Sequence, residues 1–368
     1  MTSTTHQKRG SFHLARIIAN VPGVLGFYPD ESVVLIALDR AQGRTSLGPI
    51  ARIDAHRTQD LAAAVSFIEA SGFPVFIAVL VSAQLEVEKA CDGPGGTGAV
   101  RPNPRCEAVL SSLEDACCSA ATTCLGAWGC DEIYSGAPYV LLKEFGERGP
   151  EFSGGLWESG RVEDIVSSES ARHLLQHGLL PELTREDTFN RFASQQPCLN
   201  NKSLVSAAAD VESELKGGGV PAFESLRNCF DERIAAVAPF LTRGQALPQG
   251  EIEYFALFCS SILLRDCIAD RCFDASPEDA RAMSAVWLHV ARHTPTHVRS
   301  QALTLLALAE LSVGNNAVAT PAVNLAIAED PSNTFAPLVR EVLLRNCADA
   351  AEKACRRATD SLRKRFAA

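Results

Sequence analysis

An unbroken apolar run at residues 33–38 constrains the fold of this chain more than any other segment. A strand that is apolar at every position is typical of burial on both faces, so it needs covering layers on both sides of its sheet. The run follows a turn-rich loop at residues 21–32, in which Pro29 presets φ and Asp30 can bond to nearby backbone. We therefore expect a central strand in a layered domain.

The segments that follow predict a hairpin, a helix and a further strand. Residues 46–54 are expected to pair antiparallel with the first strand, which places Arg52 and Asp54 side by side on one face. Residues 61–68 carry apolar side chains at helical spacing, and residues 74–82 form another buried strand. This order predicts an α/β (α+β) N-terminal domain with a mixed sheet.

The rest of this domain is predicted to contain one long helix and a second hairpin. The helix is expected over residues 105–128, with Cys117 and Cys124 on one apolar face because they are seven residues apart. The hairpin is expected from strands at residues 131–135 and 139–143. Cysteines in such positions are more typical of a packed core than of a metal site.

Three consecutive glycines at residues 217–219 mark the expected domain boundary, because ordering them in a regular element costs much backbone entropy. We predict an α/β domain with a helical extension over residues 1–216. Helical periodicity then continues to the end of the chain, so residues 220–368 are predicted to form an all-α helical domain.

The composition argues against several classes of function. A formal net charge of −10 and a pI of about 5.4 disfavour nucleic acid and anionic membranes as partners. The sequence shows no secretory signal and no apolar run of membrane-spanning length, which favours a cytoplasmic protein. The odd count of 13 cysteines in a chain without an export signal indicates reduced thiols.

Motifs that carry known chemistry are missing from the sequence. It contains no GxxxxGK[ST] loop, no GxGxxG between a strand and a helix and no GxSxG turn, so the sequence favours a non-enzymatic role and predicts no cofactor. A weak alternative is a metal site, because Glu169, His173 and His177 can lie on one helix face. His289 and His293 repeat the spacing of the two histidines.

The opening loop and the hairpin after it hold the polar and aromatic side chains that could converge on a ligand at a sheet edge. These candidate ligand-binding residues are Phe27, Tyr28, Asp30, Ser32, Arg52 and Asp54. The competing interpretation is structural: Phe27 fills the core, the loop forms a turn, and Arg52 pairs with Asp54.

Two strings, VPGVLGFYPDESVVLIAL at residues 21–38 and GPIARID at residues 48–54, closely resemble the start of the domain of unknown function 4192 family. The family pattern is similar to VPxLLGFxPxxSLVxxxL followed by GPxxRxD. Residues 179–187 and 303–331 resemble later parts of the same family. The resemblance implies an actinobacterial cytoplasmic protein, and it brings no established activity, cofactor or catalytic residue.

A second resemblance, to a single tetratricopeptide unit, lies near the end of the chain. It rests on Leu303, Leu306, Ala307, Gly314, Ala319, Ala326 and Pro331. Small residues at these positions let two antiparallel helices approach closely. The main hypothesis is therefore a protein-interaction or scaffold role through the helical domain. The alternative is a small-ligand-binding protein or an enzyme that uses residues 26–54.

Overall fold

The chain folds into two compact units, Met1–Arg185 and Glu186–Ala368. The computed structural model describes residues 13–41, 44–87, 103–118, 120–149, 152–196, 199–274, 276–345 and 347–367. Most of the segment at residues 92–104, which is rich in glycine and proline, lies outside these described ranges.

A mixed sheet forms the centre of the first unit. Its strands are β1 (Ser32–Ala41), β2 (Arg44–Asp54), β3 (Val75–Val81), β4 (Thr123–Cys130), β5 (Pro138–Glu144) and β6 (Ser159–Arg161). The six strands lie in the order β2-β1-β3-β4-β5-β6. The pair β3–β4 is parallel, and every other neighbouring pair is antiparallel. The predicted mixed sheet is confirmed.

Helices cover both faces of this sheet. They are α1 (Leu14–Leu25) on one face and α2 (Leu61–Ala70) and α3 (Pro104–Cys117) on the other. A further helix, α4 (Glu169–Gln176), packs against α1. Alternate residues of β1 enter two separate cores: Val34 and Ile36 pack with residues of α1, whereas Val33 and Leu35 pack with residues of α2 and α3. The burial of residues 33–38 on both faces is therefore confirmed.

The helix predicted over residues 105–128 is wrong in its second half. The helix α3 begins after Asn103, whose Oδ1 accepts hydrogen bonds from the backbone N–H groups of Arg105 and Cys106, and it ends at Cys117. Residues 124–130 are all buried, in a strand between β3 and β5. Burial on both faces removes the period-2 signal that would identify a strand, so tertiary pairing decides the outcome.

The second predicted hairpin is correspondingly shifted. Residues 131–135 form the turn between β4 and β5 rather than a strand, because the chain reverses directly after Cys130. The strand expected at residues 139–143 is confirmed within β5.

Helices are the only regular secondary structure among the described residues of the second unit, as predicted for residues 220–368. Its helices are α5 (Arg185–Asn190), α6 (Asn201–Thr242), α7 (Gln249–Ser260), α8 (Ile262–Ile268), α9 (Arg271–Asp274), α10 (Pro277–His293), α11 (Thr296–Ser312), α12 (Asn316–Glu329), α13 (Phe335–Leu344) and α14 (Ala348–Ala367). No described helix of the protein has both the length and the apolar character that crossing a membrane requires.

The triple glycine lies inside helix α6 and not at the boundary between the units, which falls between Arg185 and Glu186. Gly217 and Gly218 remain helical, and only Gly219 departs, with φ 59° and ψ −147°. The helix packs against α7, α10 and α14, so tertiary contacts offset the entropic cost on which the predicted boundary at residues 216–220 rested.

A buried ion pair and an aromatic cluster organise the core of this unit. Arg227 donates from both terminal nitrogens to the carboxylate of Asp270, at 2.8 and 2.9 Å, and both side chains are buried. The ring of Phe230 stacks on Trp287 and meets Phe255 edge to face. The ion pair connects α6 to the segment before α9. Removing one member of such a pair would leave an uncompensated buried charge.

The Gly219→Ala substitution is expected to destabilise α6 by about 1–3 kcal/mol, because its backbone region is essentially restricted to glycine. An added Cβ would also lie 3.2 Å from the carbonyl oxygen of Phe366. The matched control is Gly217→Ala, which is helical and has open space, and we expect it to stabilise by about 0.5–1 kcal/mol. Amide hydrogen exchange in α6 and α14 measures the change in stability that each substitution causes. Equal effects of the two substitutions would contradict the assigned kink.

Candidate functional site

The opening loop connects α1 to the central strand at one end of the sheet. Helix α1 ends at Leu25, because Gly26 adopts φ 81° and its N–H bonds to the carbonyl of Pro22. Phe27 is buried, and the partly buried Tyr28 packs against the core on the α1 side of the sheet. The loop therefore contributes its aromatic residues to the core.

A segment that is distant in sequence forms backbone hydrogen bonds with this loop. The backbone N–H of Tyr28 donates to the carbonyl of Glu182 at 3.0 Å, and the N–H of Glu182 donates to the carbonyl of Gly26 at 2.8 Å. These bonds form an isolated parallel bridge between Phe27 and Glu182. Two segments that carry the sequence resemblance, residues 21–38 and 179–187, therefore meet in space.

Arg52 stands at the centre of a polar network at the start of β1. Its Nε donates to the Ser32 hydroxyl at 2.7 Å, and its Nη1 lies 2.5 Å from an Asp54 carboxylate oxygen. A third, longer bond runs from Nη2 to the backbone carbonyl of Asp30 at 3.3 Å. The antiparallel register opposes Ser32 to Asp54, which explains why the three side chains meet. We call Asp30, Ser32, Arg52 and Asp54 the Arg52 network.

Glu31 and Ser82, which were not among the predicted residues, join the same end of the sheet. Glu31 has a positive φ of 38°, its carbonyl accepts from the N–H of Ala55, and its carboxylate accepts from the Ser82 hydroxyl at 2.8 Å. Ser82 directly follows β3, so these bonds join the ends of β1, β2 and β3. A serine that closes an apolar strand was the only signal in the sequence.

The six predicted residues therefore separate into two groups. Phe27 and Tyr28 belong to the core side, whereas the other four form the Arg52 network, in which Arg52 has three internal partners. Two surface cavities lie elsewhere, one of about 360 Å³ between α2 and α3 and one of about 630 Å³ beside Arg148. Neither cavity is lined by a predicted residue. The geometry supports a structural role for the Arg52 network at this end of the sheet.

The alternative metal site is not assembled. The rings of His173 and His177 are 4.7 Å apart and meet edge to face, and Nδ1 of His177 lies 2.9 Å from the carbonyl oxygen of His173. His293 makes the same local contact with His289, at 2.8 Å. Across the described ranges, no three His, Cys, Asp or Glu residues are grouped so that they could hold a metal ion, and this includes the trio with Glu169.

Cys117 and Cys124 do not share a helix face, because Cys117 ends α3 and Cys124 lies in β4. Their thiols nevertheless interact. A hydrogen bond from the Cys124 thiol lowers the pKa of Cys117, and burial raises the pKa of Cys124 well above its usual value. The Cys124 thiol also donates to the backbone carbonyl of Gly126 at 3.6 Å.

Fold and site together define a two-unit protein whose first unit is a layered mixed sheet closed by a polar network and whose second unit is helical. The chain belongs to the family of the domain of unknown function DUF4192, whose model matches residues 15–349. No curated protein and no solved structure is significantly similar to the chain. The matched range includes the Arg52 network and the bridge at Glu182.

The Arg52→Met substitution is expected to destabilise the β1–β2 end by about 1–3 kcal/mol, because it leaves Asp54 without its cation and Ser32 without a donor. Amide hydrogen exchange in β1 and β2 should accelerate roughly 5- to 150-fold. The control is Arg57→Met, which removes an exposed pair with Asp60 and should cost no more than about 1 kcal/mol. If amide exchange in β1 and β2 were unchanged in the Arg52 variant, the Arg52 network would contribute nothing to stability.

Proposed function

We propose that this protein acts by binding another protein, through a surface formed by Leu180 and Leu183. These two leucines are 63% and 79% exposed. Isolated exposed apolar residues are common on protein surfaces and need no explanation. The proposal rests on a different observation, which is that both leucines flank a residue whose backbone is fixed.

That residue is Glu182, which bonds through its N–H and its carbonyl to the loop between Gly26 and Tyr28. The segment is therefore ordered before any partner arrives, so binding does not incur the full cost of immobilising it. Burial of one leucine side chain contributes about 1.5–3 kcal/mol, so two leucines supply a useful part of a binding energy.

The preceding helix carries a further exposed leucine. Leu175, near the end of α4, is 43% exposed, and α4 packs against α1. Gly23 makes that packing close, because an added Cβ there would lie 2.4–2.6 Å from atoms of Ser170 and Ala171. The leucine surface thus sits on elements that are held by side-chain packing as well as by the bridge.

The helical unit offers the second candidate surface, the one that the sequence predicted. Five of the positions that resemble a tetratricopeptide unit are buried on the packed helices α11 and α12, namely Leu303, Leu306, Ala307, Ala319 and Ala326. The most exposed large apolar residues described in this unit lie elsewhere, at Ile262 and Leu338. The two are 61% and 64% exposed. A cytoplasmic location is compatible with protein binding through either of these two surfaces.

Photo-crosslinking tests the proposal. The reactive residue p-benzoyl-L-phenylalanine replaces Leu183 in the full-length protein, which is expressed in its native cells and irradiated. We expect one discrete product, and we expect Leu180→Ser in the same chain to abolish it, because half of the apolar surface is then lost. Replacement of the exposed Glu107 on α3 is the control and should give no product.

A probe at Leu338 distinguishes the two surfaces. A discrete product at position 338 and none at position 183 would assign binding to the helical unit and overturn the proposed surface. The absence of a product at both positions would contradict an interaction role through either surface. A product with twice the mass of the chain would identify the partner as a second copy.

A further inference from the structure

Three arginines gather within the helical unit, where the chain after α5 passes the end of α10 and the start of α11. Arg292 donates from Nε to the carbonyl of Arg191 at 2.8 Å. Arg299 donates to the carbonyls of Ala291 and Phe192, at 2.7 and 2.6 Å. These bonds bring the guanidinium groups of Arg292 and Arg299 to neighbouring backbone carbonyls, and the charge of Arg191 also acts on Arg292. We call Arg191, Arg292 and Arg299 the arginine cluster.

The members of the arginine cluster differ in what their nitrogens contact. Arg299 is buried, and its Nε forms an ion pair with Glu329 at 2.7 Å, so every one of its nitrogens has a partner. Arg292 is half-buried and uses only Nε. Within the part of the chain that the structure describes, the two terminal nitrogens of Arg292 have no acceptor and no acidic side chain pairs with it.

The charges around Arg292 are mainly positive. Burial, together with the charges of Arg191 and Arg299, lowers the pKa of Arg292. Burial also lowers the pKa of His289, with contributions from Arg292 and His293. Such an accumulation of positive charge contrasts with the net charge of −10 of the whole chain. Glu329 is engaged by Arg299, and the nearby Asp330 is engaged by His297.

We propose that the arginine cluster binds an oxyanion of the phosphate class, with Arg292 as its main ligand. The free edge of a guanidinium presents two parallel N–H donors, which match two oxygens of a phosphate. A phosphate dianion compensates more of the local positive charge than one carboxylate does. Partial burial strengthens these bonds relative to those of an exposed arginine.

The positions of the neighbouring groups explain why the site is preformed. The carbonyls at the end of α10 are already bonded, because the N–H groups of Gln195 and Leu199 donate to Arg292 and His293. The backbone around Arg292 is thus held from two sides, and the guanidinium needs little reorganisation to accept an anion. Preorganisation of this kind reduces the entropic cost of binding.

Titration with inorganic phosphate tests this inference on the full-length protein. Thermal unfolding is followed as phosphate replaces chloride at constant ionic strength, and affinity is measured by isothermal titration calorimetry. We expect phosphate to raise Tm beyond chloride, and we expect Arg292→Gln to weaken binding at least about tenfold, a change of about 1.4 kcal/mol. The matched control is Arg340→Gln, an exposed arginine on α13, which should bind as the wild type does.

A second variant and two further ligands make the result decisive. Arg292→Lys keeps the charge and removes the planar pair of donors, so it should bind with intermediate affinity if the fork geometry matters. Phosphoserine and adenosine monophosphate distinguish a free phosphate from a phosphoester, and the tightest ligand identifies the source. The inference is overturned if the wild type binds none of the three, or if Arg292→Gln and Arg340→Gln, both folded by circular dichroism, bind equally.

Discussion

The structure depends on the burial of β1 on both of its faces. Alternate side chains of residues 33–38 enter two separate cores, and neither core can form unless helices cover that side of the sheet. Helix α1 is therefore needed on one side, and α2 and α3 on the other. The long connection between β3 and β4, which contains α3, follows from this requirement.

The segments that carry the family resemblance, residues 21–38 and 48–54, also support the burial of β1. Ser32 and Asp54 face each other at the open end of the β1–β2 hairpin, and Arg52 joins them, so the polar residues close the place where the apolar strand begins. A sequence cannot separate this arrangement from a ligand site, because both need arginine, carboxylate and hydroxyl groups at a sheet end. The distinction lies in the partners of Arg52, which are all internal.

Local patterns predicted the parts of the fold that local interactions determine. The hairpin, α2 and the helical second unit follow from alternation, helical spacing and turn residues. The strand at residues 123–130 could not be recognised, because a segment that is buried on both faces loses its alternation. The bridge between Phe27 and Glu182 was invisible for another reason: it joins segments far apart in sequence and leaves no local pattern. The glycines in α6 show that tertiary packing can override a backbone preference.

The bridge at Glu182 also bears on where the first unit can be separated from the rest of the chain. The last strand of the sheet ends at Arg161, yet the loop before β1 takes its backbone partners from a residue well beyond it. A fragment cut soon after the sheet would expose the N–H of Tyr28 and the carbonyl of Gly26 to solvent. The first unit therefore needs the chain through at least Glu182 to keep both of these backbone groups paired.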